Sequence, residues 1–192
     1  MAHFIGQTSP VSASKEAGDR QPQAMDKKGD CFLFGDIEGM ARFVDEAVEV
    51  YVRGEPRFGA LNGLASERKQ SAQLVCQEYN RYGLDLFERI KGHFTIIIRD
   101  RGNDRVLVAM DKLATYPVYY TRSDAAGYLF SDSLTALVKH PLVKAKLNNQ
   151  AIYNYTYFHM IPSPGTIYED IYRVDAASYL LWQQGSVKTV KY

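Results

Sequence analysis

Hydrophobic and polar positions are most regularly ordered between Tyr82 and Tyr120. Leu84, Phe87 and Ile90 recur at helical spacing and predict a short amphipathic helix, closed by Gly92 as glycine closes many helices. Phe94 to Ile98 is a compact apolar run rich in β-branched residues and predicts a buried strand. Gly102-Asn103, within Asp100 to Asp104, is a turn signal, so Val106 to Met110 reads as the returning strand of a hairpin. Asp111 to Pro117 reads as a loop, and Val118 to Tyr120 begins a third strand.

The flanks give weaker patterns. Met1 to Gly6 could form a short strand, and Gln7 to Asp30 is a polar stretch with the composition of a loop or disordered arm. Met40, Phe43, Ala47 and Tyr51 predict a helix from about Glu38 to Arg53. Ala72, Val75, Cys76 and Tyr79 define the apolar face of the next helix. Tyr128 to Ser131 predicts a strand, followed by a helix from Asp132 to Val138 with Ser131 or Asp132 as its N-cap. Asn149 to Phe158 predicts a helix with Ala151, Ile152, Tyr155 and Phe158 inward. Ser178 to Trp182 and Val187 to Val190 predict a final hairpin around Gln184-Gly185.

With 192 residues the chain is long enough for one sizeable core. The expected division is an N-terminal strand and polar arm over 1–30, partly disordered, and one domain over 31–192. Lys and Arg number 23 against 22 Asp and Glu, a formal charge of +1. That balance gives no footprint for nucleic acid or a membrane surface, and neither is an expected partner. No apolar run reaches transmembrane length and no signal-peptide core precedes residue 30, so a cytoplasmic location is expected.

Candidate chemistry is sparse. Cys31 and Cys76 do not make a disulfide framework, and Cys76 falls on a helix face where a buried thiol is expected. His3, His93, His140 and His159 have no metal-ligand spacing, and no metal site is expected. Asp100 and Asp111 stand where turn and cap roles are expected.

Tyr82, Gly83, Gly92, Phe94, Asp100, Ala109, Asp111, Pro117, Tyr119 and Tyr120 match in order the central motif of the glutaminase domain of asparagine synthetases. Phe130, Leu134, Ala136, Leu137, His140-Pro141 and the run Ile161 to Ile167 extend the match. These domains are class-II glutamine amidotransferases. The resemblance implies an α+β fold, an N-terminal-nucleophile-hydrolase-like αββα sandwich of mainly antiparallel sheets.

In the family, removal of the initiator methionine exposes a cysteine that attacks glutamine. Its own α-amino group, with a reference pKa of about 8, serves as the base. Here Met1-Ala2-His3-Phe4-Ile5-Gly6 keeps the spacing, but Ala2 has no nucleophile. Leu33-Phe34-Gly35-Asp36-Ile37 resembles the motif whose asparagine gives an oxyanion-hole donor, and Phe34 replaces that amide. Losing one such donor typically costs about a hundred- to a thousandfold in rate. The aspartate that holds the substrate amine corresponds to Ser71, and the arginine clamp for its carboxylate is missing. The substrate-binding positions Phe34, Gly35 and Ser71 are therefore degenerate.

The resemblance thus implies a non-catalytic glutaminase-like domain of an asparagine synthetase-like, ATP-dependent amide-forming enzyme, with a structural or docking role. Similar decay occurs in β-lactam synthetase-like and peptide-cyclase-like members. The expected partner is a synthetase domain in cis or in trans, and a homodimer is a further expected association. No cofactor is expected in this chain; ATP and magnesium belong to the synthetase partner. Two alternatives stand beside this: an active glutaminase supplying ammonia with Cys31 as nucleophile, exposed by cleavage, and a stand-alone scaffold.

Overall fold

A computed structural model describes residues 4–7, 32–35, 39–59, 68–124 and 127–192. The polar stretch that follows Gln7 lies outside these residues. The fold is α+β, as expected, and all strand pairings among the described residues are antiparallel. The chain forms two compact units, each assembled from separate segments: 1–37 with 117–174, and 38–116 with 175–192.

The first unit is built on a five-stranded sheet. Its strands are β1 (Phe4–Gln7), β2 (Phe32–Gly35), β7 (Tyr119–Ser123), β8 (Gly127–Ser131) and β9 (Ile171–Arg173), in the order β2-β1-β8-β7-β9. Two helices belong to it, α3 (Leu134–Val138) and α4 (Asn149–Phe158). Leu129, Leu137 and Ile171 form its core, with Ile5, Tyr119 and Leu134 packed against them. Helix α3 is capped by Ser133, whose side chain accepts a hydrogen bond from the Ala136 amide at 3.2 Å. The cap is thus neither Ser131 nor Asp132, because both of those side chains are committed to Phe4. Helix α4 has the expected bounds and is capped by Asn148. Its expected inward face is not inward: Ala151 is buried, whereas Ile152, Tyr155 and Phe158 are exposed.

The second unit holds a six-stranded sheet of order β11-β10-β6-β5-β4-β3. Its strands are β3 (Ala41–Val44), β4 (Val48–Phe58), β5 (Ile90–Asp100), β6 (Arg105–Met110), β10 (Ser178–Gln183) and β11 (Ser186–Lys191). Between β4 and β5 run α1 (Arg68–Tyr82), a 3-10 turn (Gly83–Asp85) and α2 (Leu86–Arg89). Val50, Val52, Phe94, Ile96, Ile98, Leu107 and Ala109 form one core with Ala72, Val75, Cys76 and Tyr79 from α1. Every residue from Phe94 to Asp100 is buried, the apolar Phe94, Ile96 and Ile98 against α1 and the polar Thr95, Arg99 and Asp100 among them. The final hairpin turns at Gln184 and Gly185, both at positive φ (51° and 72°), which suits the right-handed twist of its strands.

Two predicted helices are corrected. The stretch expected as a helix from Glu38 to Arg53 is the β3–β4 hairpin. Val48, Val50 and Val52 alternate with larger polar or aromatic residues, and β-branched side chains favour the pleated surface. The Asp45 amide donates to the Val48 carbonyl at 2.8 Å and the Glu46 amide to the Asp45 carboxylate at 2.8 Å, which closes the turn. The helix expected to end at Gly92 ends at Arg89. Gly92 lies inside β5 at φ +99°, where a Cβ would stand 2.2 Å from the Glu55 carbonyl oxygen. It is a glycine because the neighbouring strand passes too close for any side chain.

Candidate functional site

The N-terminal strand positions the candidate site, because the nucleophile of this chemistry would precede it by two residues. β1 is an inner strand, between β2 and β8. Phe4 is paired with Gly35 and Ile5 with Phe34 on one side, and Ile5 with Ser131 on the other. The register therefore gathers the start of β1, the Phe34-Gly35 pair and the end of β8 at one end of the sheet. Phe4 is fixed from both backbone groups. Its amide donates to Asp132 Oδ1 at 3.2 Å, and Ser131 Oγ donates to its carbonyl. Gly6 faces the Phe130 ring, which lies 2.2 Å from where a Cβ would be. This strand keeps the glycine that its packing requires while Ala2, ahead of it, lacks a nucleophile.

Ser131 is the hydroxyl at this end, but it is not free to attack a substrate. It is fully buried, donates to Phe4 and accepts from the Ser133 amide at 3.1 Å. Cys31 and Ala2 lie outside the described residues. Phe32, which follows Cys31, pairs with Gln7, at the opposite end of β1 from Phe4. Three residues of strand separate the two ends, about 10 Å. The register thus brings Phe34 and Gly35 to the start of β1 and sets Phe32 away from it. Ser71 is buried in the first turn of α1, in the other unit.

Cys76 is buried on the inner face of α1. Burial and the nearby Asp45 charge push its thiol above the usual range, which leaves it protonated and inert. His140 is pushed down by burial, so it is neutral at physiological pH. Among the described residues, no three His, Cys, Asp or Glu side chains are grouped to hold a metal ion. No helix among them is long and apolar enough to cross a membrane.

The two aspartates of the central motif organise backbone, as expected from their turn positions. Asp111 accepts from the amides of Phe94, Leu113 and Thr115 at 3.0, 2.7 and 3.2 Å. It ties the loop after β6 to the start of the buried run of β5. Asp100 accepts from the Asn103 amide at 3.0 Å, closing the β5–β6 turn. Burial pushes Asp100 up, but hydrogen bonds from Tyr79 and Asn103 and the Arg105 charge outweigh it and leave it below the usual range.

One network was missed in the sequence. Glu49 is buried and accepts from Arg42 Nη2 and Tyr51 Oη, both at 2.6 Å, and from Arg101 Nη2 at 3.5 Å. Burial raises its carboxyl, and the Tyr51 and Arg42 hydrogen bonds bring it below its usual value. Arg42 sits on β3 and Glu49 on β4, so only the strand pairing brings them together. A helix over this segment disperses them, and the signal that finds them is the Val48, Val50, Val52 alternation.

Residues 62–192 match the glutamine amidotransferase domain family. The chain belongs to that family, and with membership goes the class-II, N-terminal-nucleophile type of fold that the motif implied. It is similar to the glutamine-hydrolyzing asparagine synthetase 3 of Bacillus subtilis, with 25% identity over 178 residues, 91% of this chain and 27% of that protein. It is also similar to a protein of Methanocaldococcus jannaschii named as a putative glutamine-hydrolyzing asparagine synthetase 2. The identity there is 26% over 131 residues, 67% of this chain and 25% of that protein. The chain spans about a quarter of the length of both relatives. Among solved structures, glutamine phosphoribosylpyrophosphate amidotransferase from B. subtilis aligns with 99% of this chain and 42% of its own, at TM-score 0.45 and 11% identity.

Proposed function

We propose that this chain is an amidotransferase domain without glutamine hydrolysis, whose role is to dock an ATP-dependent, amide-forming synthetase module in cis or in trans. The observation that carries the reading is Ala2, at the position where the family's chemistry needs a thiol, ahead of a strand otherwise built for that chemistry. Phe34, paired with Ile5 at the same end of the sheet, adds the loss of the oxyanion amide. ATP and magnesium would be held by the synthetase module. The segments that carry the sequence resemblance, the β5–β6 hairpin, the loop from Asp111 to Pro117 and the run from Pro162 to Thr166, are the docking candidates. A stable interface would bury more than about 1,000 Å².

The active-glutaminase alternative requires Cys31 as nucleophile. The pairing of Phe32 with Gln7 argues against it, because it directs that part of β2 away from Phe4 and Gly35. The test is ammonia release from glutamine by the purified chain, alone and with a synthetase module of the asparagine synthetase type. No release is expected. Glutamine-dependent release abolished by Cys31→Ala would overturn the reading. Docking is tested by light scattering of the same mixture, in which two independent species would leave a stand-alone scaffold as the better account.

A further inference from the structure

The open end of the last hairpin meets the base of the loop that follows β6. Ala177 immediately precedes β10 and Tyr192 immediately follows β11, and the Tyr192 amide donates to the Ala177 carbonyl at 2.9 Å. Ala177 lies at φ 52°, and its own amide donates to the Asp111 carbonyl at 3.0 Å. The Tyr192 hydroxyl donates to the Met110 carbonyl, one peptide earlier. Met110 and Asp111 thus close a circuit of hydrogen bonds with Ala177 and Tyr192. The Asp111 carbonyl also accepts from the Ala114 amide at 3.1 Å, so one oxygen serves both the loop and the hairpin. The loop tip depends on such ties. Ala114 sits at φ 49°, a left-handed conformation that a residue with a Cβ adopts at a cost. Leu113 beside it is 73% exposed, so burial of its side chain does little to hold the tip. Tyr192 is itself anchored. Its ring lies 5.6 Å from that of Phe87 and 6.4 Å from that of Tyr179, and those two rings stack at 4.6 Å. Burial and the Asp111 charge push its hydroxyl above the usual range, so it stays a donor at physiological pH.

We propose that Tyr192 is a positioning residue for the loop from Asp111 to Tyr116. Rooted in the aromatic cluster, it sets through Met110 how firmly the loop is held, and displacing Tyr192 releases the loop. The loop is a docking candidate for a synthetase module, and only the consequence for docking rests on that reading. The bland role for Tyr192 is to fill space beside Phe87 and Tyr179. That role needs the ring alone, whereas the tie to Met110 needs the hydroxyl. Removing the oxygen and keeping the ring separates the two.

The test is amide hydrogen exchange of the full chain with Tyr192→Phe. The amides of Leu113 and Thr115, which donate to the Asp111 carboxylate, should exchange several-fold to about tenfold faster, the factor for one lost hydrogen bond. Amides of Ile96 and Ile98, in the middle of β5, should change by no more than the loss of global stability requires. Val190→Ala is the control. It removes packing from the same hairpin without removing a side-chain hydrogen bond, and it should leave the exchange of Leu113 and Thr115 unchanged relative to β5. Loop exchange unaltered by Tyr192→Phe overturns the proposal. Equal release by Val190→Ala also overturns it, because the effect would then be one of packing. This measurement needs no partner, so it decides the coupling whether or not the docking reading holds. Light scattering with a synthetase module of the asparagine synthetase type gives the second reading. Where the unaltered chain binds, Tyr192→Phe should bind several-fold more weakly, because a loosened loop must be ordered on docking. Equal affinity would overturn the step from Tyr192 to docking, and no binding by the unaltered chain would overturn the docking reading alone.

Discussion

The Tyr79 hydroxyl donates to Asp100 at 2.7 Å and joins the last turn of α1 to the turn of the central hairpin, 21 residues away. Arg105 completes the group. Its Nε donates to the Tyr79 oxygen at 2.8 Å and to Asp100 at 3.1 Å. Both acceptor and donor are buried, so each depends on the other for what water would otherwise supply. The helix is thereby fixed over the sheet by a polar contact at one point and by Ala72, Val75 and Cys76 at the others.

Tyr79→Phe should destabilise the chain by about 1.5–3 kcal/mol, the range for a hydrogen bond to a charged group. The pH dependence follows from Asp100. Its folded pKa lies below the unfolded value, so its contribution is fully present above the unfolded value near 3.8 and is lost as pH falls through the folded one. Removing the Tyr79 donor raises the folded pKa, and the stabilisation that remains is smaller. Urea denaturation of both proteins, repeated from neutral pH into the acid range, should show a stability gap that narrows as Asp100 protonates. A gap that widens towards acid pH would contradict the assignment.

Ile96 lies at the centre of β5, fully buried and opposite Ala109 and Val52 in the neighbouring strands. Ile96→Ala should cost about 2–5 kcal/mol, from lost transfer energy and the cavity left behind. Equilibrium unfolding measures it directly. A loss below about 0.5 kcal/mol, as expected of a surface site, would place Ile96 outside the core.

Asp111 is nearly fully buried and accepts from three amides. Asp111→Ala should cost about 2–4 kcal/mol, because it leaves buried donors unmet. Asp111→Asn keeps one acceptor oxygen and should cost less. Thermal unfolding ranks the two variants, and backbone amide shifts of Phe94, Leu113 and Thr115 should report the change locally. Equal stability of the unaltered protein and Asp111→Ala would remove Asp111 from its role in the loop.

The central hairpin was legible because its signals agree. A continuous β-branched run, a Gly-Asn turn and a returning apolar run all specify the same pairing, and Asp100 closes the turn they predict. The β3–β4 hairpin was not legible, because Met40, Phe43, Ala47 and Tyr51 also satisfy a helical period. Only the competing Val48, Val50, Val52 alternation, realised by pairing with β5, decides it. Gly92 shows a different limit. A glycine at positive φ suits a helix end as well as a strand under close approach, and only the Glu55 carbonyl distinguishes them. At the candidate site the sequence shows Ala2 and Phe34 as residue types that supply neither a thiol nor an amide. That Phe34 and Gly35 lie beside the start of β1 depends on pairing across a long connection, which no local pattern encodes.

Ala2→Cys, once the methionine is removed, supplies a thiol and the α-amine beside it in one change, so the nucleophile and its base return together. The oxyanion donor does not, because Phe34 stays in place, and that absence alone is worth about a hundred- to a thousandfold. On the proposed reading, Ser71 supplies no carboxylate for the substrate amine and no arginine clamp holds its carboxylate. Groups that act as a unit are non-additive, so restoring one member returns little of the rate. Ala2→Cys is therefore expected to release no glutamate above background, and the same holds for Ala2→Cys with Phe34→Asn. The thiol itself should be present and titratable by a small alkylating reagent, and mass spectrometry of the intact chain confirms that the methionine is gone. Alkylation without glutamate release separates a nucleophile that exists from a substrate site that does not. Robust glutamine hydrolysis by Ala2→Cys alone would mean that this chain still binds glutamine, and that Ser71 and Phe34 do not stand where the family's substrate contacts do.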